Sequence, residues 1–313
     1  MQTPRDHGGG IDDAAARHGG PRAAWLDLST GINPVPYRLP DFPADCWTAL
    51  PDRAAMDGLT DAARQFWAVP DDLTILPAPG ASSIIARLPA LAEPGRVHIP
   101  APTYNEHAAA FAAHGWQVET DGNMAPDARV LVHPNNPTGH WWDAHDLDAR
   151  LTIVDESFAD VDPARSLVGM GDNGTVYLKS FGKFWGLAGL RLGFAIGAPD
   201  RIARLAELLG PWAVSGPALI TGRAALQDFE WAQDTRARLR RDAARLDDLM
   251  TCTGATLTGG TSLFRLYAVE NAQELQTRLA THKIWSRIFP YSDHWIRLGL
   301  PDPDGWSQLE QAL

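Results

Sequence analysis

The stretch TVYLKSFGKFWGLAGLRLGFAIG, residues 175–197, decides the fold. Thr175 to Leu178 read as a β-branched and aliphatic strand that runs into Ser180, Lys183, a glycine-rich turn and Arg191. A lysine between a buried strand and a glycine-rich loop is an unusual place for a cation. Desolvation there disfavours the ammonium form and lowers the lysine pKa, which suits an amine nucleophile that forms a Schiff base. Ser180 and Arg191, on either side of it, are natural phosphate ligands. Together they make the arrangement expected for covalently held pyridoxal phosphate. The same residues also admit a plainer reading, a surface lysine and a salt-bridged arginine in a strand-to-helix connection.

Two further stretches bear on that choice. RVLVHPNNPTG, residues 129–139, is a strand that stops at a Pro/Asn/Gly turn, and LTIVDESF, residues 151–158, is a second apolar run ending in two acids. A strand that delivers a carboxylate at its C-terminal edge places it in the crevice where open α/β sheets bind ligands. A pyridine nitrogen needs such a carboxylate to stay protonated, because the pyridinium makes the ring an electron sink. Asp155 fits that role, and Asn136 fits a donor to the phenolate oxygen of the same ring. The N-P-x-G turn, the D-E-x-F strand end and the S-x-x-K…R loop follow one another here in the order found in fold-type I pyridoxal-phosphate enzymes. The chain resembles that family, the aspartate aminotransferase superfamily. The resemblance implies an aspartate aminotransferase-like α/β fold, with a large domain built on a mostly parallel mixed sheet and a smaller α+β domain.

Composition agrees with a globular enzyme. The chain has 313 residues, 45% hydrophobic and 21% charged, enough for one large core and a second, smaller domain. A net charge of -11 argues against nucleic acid as a partner, since no basic run could neutralise a phosphate backbone. Two cysteines, Cys46 and Cys252, offer neither a disulfide framework nor metal spacing, so no metal and a reducing cytoplasm are expected. Met1 to Arg5 are polar and no apolar signal region follows; no segment approaches the roughly 20 apolar residues of a membrane span. Neither a G-x-x-x-x-G-K-[ST] loop nor an H-E-x-x-H pair is present.

Along the chain, LTILPAPGASSII, RVHIPAPTYNEHAAAFAAHGW, WQVET and the three stretches above alternate strands with helices, the pattern of a mostly parallel sheet covered on both faces. From about Pro199 the sequence turns helical, and GPALITGRAALQDFEWAQDTRARLRRDAARLDDLMTCTG reads as one long or broken helix. TSLFRLYAVE, IWSRIFP and HWIRLGL then supply short strands around a helix. The expected division is a large pyridoxal-phosphate-binding domain over 41–210, with 1–40 and 211–313 forming the small domain and an active-site segment at the amino end.

The amino end, HGGGIDDAAARHGGPRAAWLDLSTGINPVPY from His7 to Tyr37, resembles the start of the L-threonine-O-3-phosphate decarboxylases of cobalamin synthesis. The HGG, WLDLS and INP elements occur in that order, and the likeness continues through GPWAVSGPA at 210–218. It implies loss of CO₂ from L-threonine O-3-phosphate to give (R)-1-amino-2-propanol O-phosphate, catalysed by a homodimer. On the family's pattern Lys183 carries the cofactor, Asp155 faces the ring nitrogen and Tyr104 stacks on the ring. Gly80, Ala81, Ser82, Asn136, Ser180 and Arg191 complete the cofactor set. Arg297 clamps the substrate carboxylate, His7, Gly8 and Arg287 meet its phosphate, and Lys183 or Tyr104 returns a proton.

The chain departs from the pattern in three places. Phe158 stands where aminotransferases carry Tyr, and Leu50 where relatives reach the partner subunit's cofactor phosphate. Asn136 and Asp155 are close enough in sequence that the helix between their strands must be cut down or missing. The alternatives are an aminotransferase for a phosphorylated amino substrate such as histidinol phosphate, and a non-catalytic cofactor-binding partner protein.

Overall fold

The computed structural model describes residues 7–122 and 125–313, so Met1 to Arg5 lie outside the described residues. The chain forms two compact units, one of residues 36–136 and 140–234, the other of the segments up to Val35, 137–139 and 235–313. Residues 211–234 thus cluster with the larger unit.

The larger unit is organised by a seven-stranded sheet. Its order is Thr74–Ala78, Gly193–Gly197, Thr175–Ser180, Leu151–Asp155, Ala128–Val132, Arg96–His98, Gln117–Glu119. All pairings are parallel except those of Gly193–Gly197, which runs antiparallel to both neighbours. Leu151–Asp155 and Gly193–Gly197 are buried at every position, as continuous apolar strands covered on both faces must be. Val130, Ile153, Val176 and Leu178 join Phe111, Ile202 and Leu205 from the covering helices, and Trp116 just before the edge strand, in one core.

The helices begin and end where the local chemistry directs. Asp52 caps Arg53–Phe66 by accepting from the Ala55 N–H at 3.0 Å, and Ser215 caps Gly216–Gln227 through the Ala218 N–H. Pro199 opens Pro199–Leu209, and Gly210 at φ 78° closes it. The long helical stretch is broken at Asp228, whose carboxylate accepts from the Trp231 N–H at 3.0 Å and so starts Phe229–Cys252. Between Asn136 and Asp155 the one helical element is a 3₁₀ turn, Ala144–Asp146, as the short connection requires.

The smaller unit is built on a four-stranded antiparallel sheet, Arg287–Phe289, Ser292–Gly299, Phe264–Ala268, Thr256–Thr261. Leu26–Asp27 pairs in parallel with Ile284–Trp285 as a separate ribbon. Helix Ile11–His18 buries Ile11 and Ala14 against Trp25, Ala280 and Trp285.

Candidate active site

Within the larger unit, the C-terminal ends of three neighbouring strands open on one cavity of about 130 Å³. Val132 and Asn136 come from the end of Ala128–Val132 and the turn after it, Asp155 from the end of Leu151–Asp155, and Ser180 from the end of Thr175–Ser180. Lys183 follows Ser180 on a tight loop held by the Gly186 N–H donating to the Lys183 carbonyl at 3.1 Å and the Leu187 N–H to Phe181 at 3.0 Å. Tyr104, Ala81, Ser82, Phe158 and Arg191 complete the wall. The sheet thus brings eight of the nine expected cofactor residues onto one surface. Gly80 stands behind it, where a Cβ would lie 2.5 Å from Arg191 Nη2.

The phosphate-like end of the cavity is shaped by backbone. Gly80, at φ +83°, caps the short helix Ala81–Ile85 with no side-chain hydrogen bond, and its carbonyl accepts from the Ser83 N–H at 3.1 Å. Gly193 allows the next strand to come up against this turn, since a Cβ there would meet the Ala81 nitrogen at 2.5 Å. Arg191 takes a left-handed φ of 53°, uncommon outside glycine, and its Nη1 donates to the Ala188 carbonyl at 2.8 Å. Ser180 Oγ accepts from the Gly182 N–H at 3.2 Å.

Asp155 is 3% exposed and fully engaged. Its Oδ2 lies 2.8 Å from His107 Nε2, and its Oδ1 accepts from the Ser157 N–H at 3.0 Å and the Ser157 hydroxyl at 2.5 Å. Burial raises the carboxyl pKa, but the bonds from His107 and Ser157 outweigh it and hold the group below its ordinary value. Asp155 is therefore a fixed anion. Lys183 Nζ sits 5.2 Å from the centre of the Phe158 ring, so the side chain that replaces a tyrosine contributes an aromatic face beside the amine.

His107 and Lys179 are absent from the expected set. His107 is buried on helix Asn105–Ala113, four residues before Phe111 on the same face. That spacing marks a core position and was the available signal for it. Lys179 is the second lysine of the strand–loop stretch, beside Lys183. It is 2% exposed, with Nζ 2.6 Å from Glu156 Oε2 and 3.6 Å from Asp160 Oδ1. Asp160 in turn accepts from Trp67 Nε1 at 2.9 Å and Trp185 Nε1 at 3.1 Å.

The smaller unit gathers His7, Gly8 and Arg287 on a separate, more open cavity of about 510 Å³. Arg287 and Arg297 are direct partners across two antiparallel strands, which points both side chains to one face. Like charges so placed repel, and an anion relieves the repulsion. Arg297 is 3% exposed and its Nη2 donates to the Ser29 carbonyl, while a Cβ on Gly8 would lie 2.4 Å from the same oxygen. Gly8 is thus a position where only a bare backbone fits. Leu50 is 67% exposed and reaches neither cavity.

A buried anion, an amine, a serine, an arginine and the start of the short helix Ala81–Ile85, all lining the larger unit's cavity, suit a planar, cationic, phosphorylated ring. Pyridoxal phosphate has that form, and the residues present fit it. The sequence profile of the family Aminotransferase class I and II matches residues 50–305. A threonine-phosphate decarboxylase from Sinorhizobium sp is 42% identical over 331 aligned residues, covering 100% of this chain and 98% of the relative. One from Pseudomonas aeruginosa is 38% identical over 98% of this chain and 97% of its own. The crystal structure of histidinol-phosphate aminotransferase from Sinorhizobium meliloti in complex with pyridoxal-5'-phosphate superposes with a TM-score of 0.82. It covers 97% of this chain and 94% of its own at 18% identity, a likeness of fold. The chain belongs to the aminotransferase class I and II family, on its threonine-phosphate decarboxylase branch.

Proposed function

We propose that the protein is a pyridoxal-phosphate-dependent carboxy-lyase. It releases the carboxyl group of L-threonine O-3-phosphate as CO₂ and leaves (R)-1-amino-2-propanol O-phosphate for cobalamin synthesis. The observation that carries this reading is the 42% identity to a threonine-phosphate decarboxylase along the whole of both chains. When bound, pyridoxal phosphate supplies an electron-withdrawing ring that accepts the electron pair left as CO₂ departs.

The chain's own residues do the rest. Lys183 provides the amine that holds the cofactor aldehyde covalently. Asp155, kept anionic by His107 and Ser157, holds a proton on the ring nitrogen. Tyr104 packs on the ring face, and Asn136 donates to its phenolic oxygen. Ser180, Arg191 and the backbone at Gly80, Ala81 and Ser82 hold its phosphate. Arg297 binds the substrate carboxylate with the planar fork suited to that group. His7, Gly8 and Arg287 receive the substrate phosphate, and Lys183 or Tyr104 returns a proton to the carbon that lost CO₂.

The cofactor-binding residues all lie in the larger unit, which extends beyond 41–210 to take in 36–40 and 211–234, and His7, Gly8, Arg287 and Arg297 lie in the smaller one. A homodimer fits the exposed apolar side chains Leu39, Trp47, Leu50, Trp212 and Phe229 of the larger unit. The two free thiols, Cys46 and Cys252, fit a reducing cytoplasm. No helix among the described residues is long and apolar enough to cross a membrane.

The test is incubation of the holoenzyme with L-threonine O-3-phosphate and no keto acid, following CO₂. Stoichiometric CO₂, absent with Lys183→Ala, is the expected result. Consumption of 2-oxoglutarate with histidinol phosphate and no CO₂ would move the protein to the aminotransferases. A protein that binds the cofactor and turns over neither substrate would overturn both.

A further inference from the structure

Ser286 lies between the ribbon strand Ile284–Trp285 and the sheet strand Arg287–Phe289. It is 1% exposed, and its hydroxyl has no hydrogen-bond partner among the described residues. A buried hydroxyl left unpaired is costly, and such groups in folded proteins ordinarily find a partner. Ser286 is one of the residues lining the cavity that also holds His7, Gly8 and Arg287. Its backbone is fixed, because Gln276 Nε2 donates to the Ser286 carbonyl at 2.8 Å. The glycine segment opposite is fixed too. Trp285 Nε1 donates to the Gly9 carbonyl at 3.1 Å, and the Gly9 N–H donates to Ser29 Oγ at 2.6 Å. Ser286, Arg287 and the glycine segment thus line one cavity, held by bonds that leave the Ser286 hydroxyl hydrogen unused.

We propose that Ser286 is a specificity residue: its hydroxyl donates to an oxygen of the substrate's phosphate group beside Arg287 in this cavity. An arginine alone attracts any anion. A buried hydroxyl at fixed depth adds selection for a tetrahedral oxyanion that can accept from both groups at once, and a substrate without the phosphate leaves it unpaired. The inference rests on the phosphothreonine reading for the identity of the substrate, though not for the existence of the anion site.

The experiment uses the full chain loaded with pyridoxal phosphate, so that the cofactor's own phosphate site is filled, and inorganic phosphate as the probe. Calorimetric titration is expected to show binding that weakens about 10- to 100-fold in Ser286→Ala, the range for a hydrogen bond to a charged group. Ser286→Thr, which keeps the hydroxyl, is expected to bind like the parent. With L-threonine O-3-phosphate the alanine variant should raise KM by a similar factor and leave kcat within about twofold. Unchanged phosphate affinity and KM in Ser286→Ala would overturn the proposal. So would a loss shared by affinity, kcat and thermal midpoint that Ser286→Thr does not restore. Phosphate binding that depends on Ser286 in a protein releasing no CO₂ would support the anion site and sink the decarboxylase reading. CO₂ release with Ser286→Ala indistinguishable from the parent would do the reverse.

Discussion

Lys179→Met is the perturbation that best tests how the site is held. Lys179 Nζ is bonded to both Glu156 and Asp160, and all three side chains are at least 95% buried. Neutral groups donate to the same carboxylates: the Ser166 hydroxyl at 2.7 Å and the Leu167 N–H at 2.6 Å to Glu156, and two indole N–H groups to Asp160. Methionine matches the aliphatic stem, so the loss is chiefly of charge. Removing one member of a buried pair costs about 3–5 kcal/mol, because the remaining charge is uncompensated. Against a total stability of about 5–15 kcal/mol, that is a large fraction.

The dependence on pH has a definite sign. Burial lowers the lysine pKa, but Glu156 and Asp160 more than restore it, so the group lies above its ordinary 10.5. Its contribution is therefore complete below about 10.5 and is lost only as pH rises through the folded value. In the methionine variant the carboxylates repel and one takes up a proton, so the deficit should shrink from pH 8 to pH 5.5. Urea unfolding of parent and variant at both values measures it. A deficit under about 1 kcal/mol at pH 8, or one equal at both pH values, would refute the reasoning. Restoration of much of the loss by Glu156→Gln in the same chain would support it.

Three further substitutions probe the cofactor cavity. Gly80→Ala places a Cβ 2.5 Å from Arg191 Nη2 at a φ of +83°, and about 10-fold weaker cofactor affinity is expected by absorbance titration. Gly189→Ala, with nothing within 4 Å of the added carbon, should bind like the parent. His107→Phe removes a hydrogen bond that holds the Asp155 carboxyl below its ordinary value, so burial then raises it. The acid limb of the kcat profile should move to higher pH in that variant, and a profile that coincides with the parent's would count against Asp155 as the fixed anion.

What the sequence reveals of this site depends on how local each signal is. Lys183, Asp155 and Asn136 each stand at the end of a strand or in the turn that follows it, and strands read as apolar runs, so the sheet that unites them is implied by the same pattern that locates them. The missing helix between Asn136 and Asp155 follows from chain length alone. His107 is harder to see: its partner is 48 residues away, and nothing in an alanine-rich helix says which strand end its buried face meets. Lys179 looks hidden but was derivable. Thr175–Ser180 lies inside the sheet and is buried on both faces from Thr175 to Lys179, so the lysine had no solvent face to turn to. A charge in such a strand requires a countercharge on a neighbour. The adjacent parallel strand sets Asp155 against Leu178, and the next step along both chains brings Glu156 beside Lys179. The acid that follows Asp155 and the lysine that precedes Ser180 thus tie together the two strand ends that carry the ring-nitrogen anion and the amine. The pairing that looks structural is what keeps the chemical pair in register.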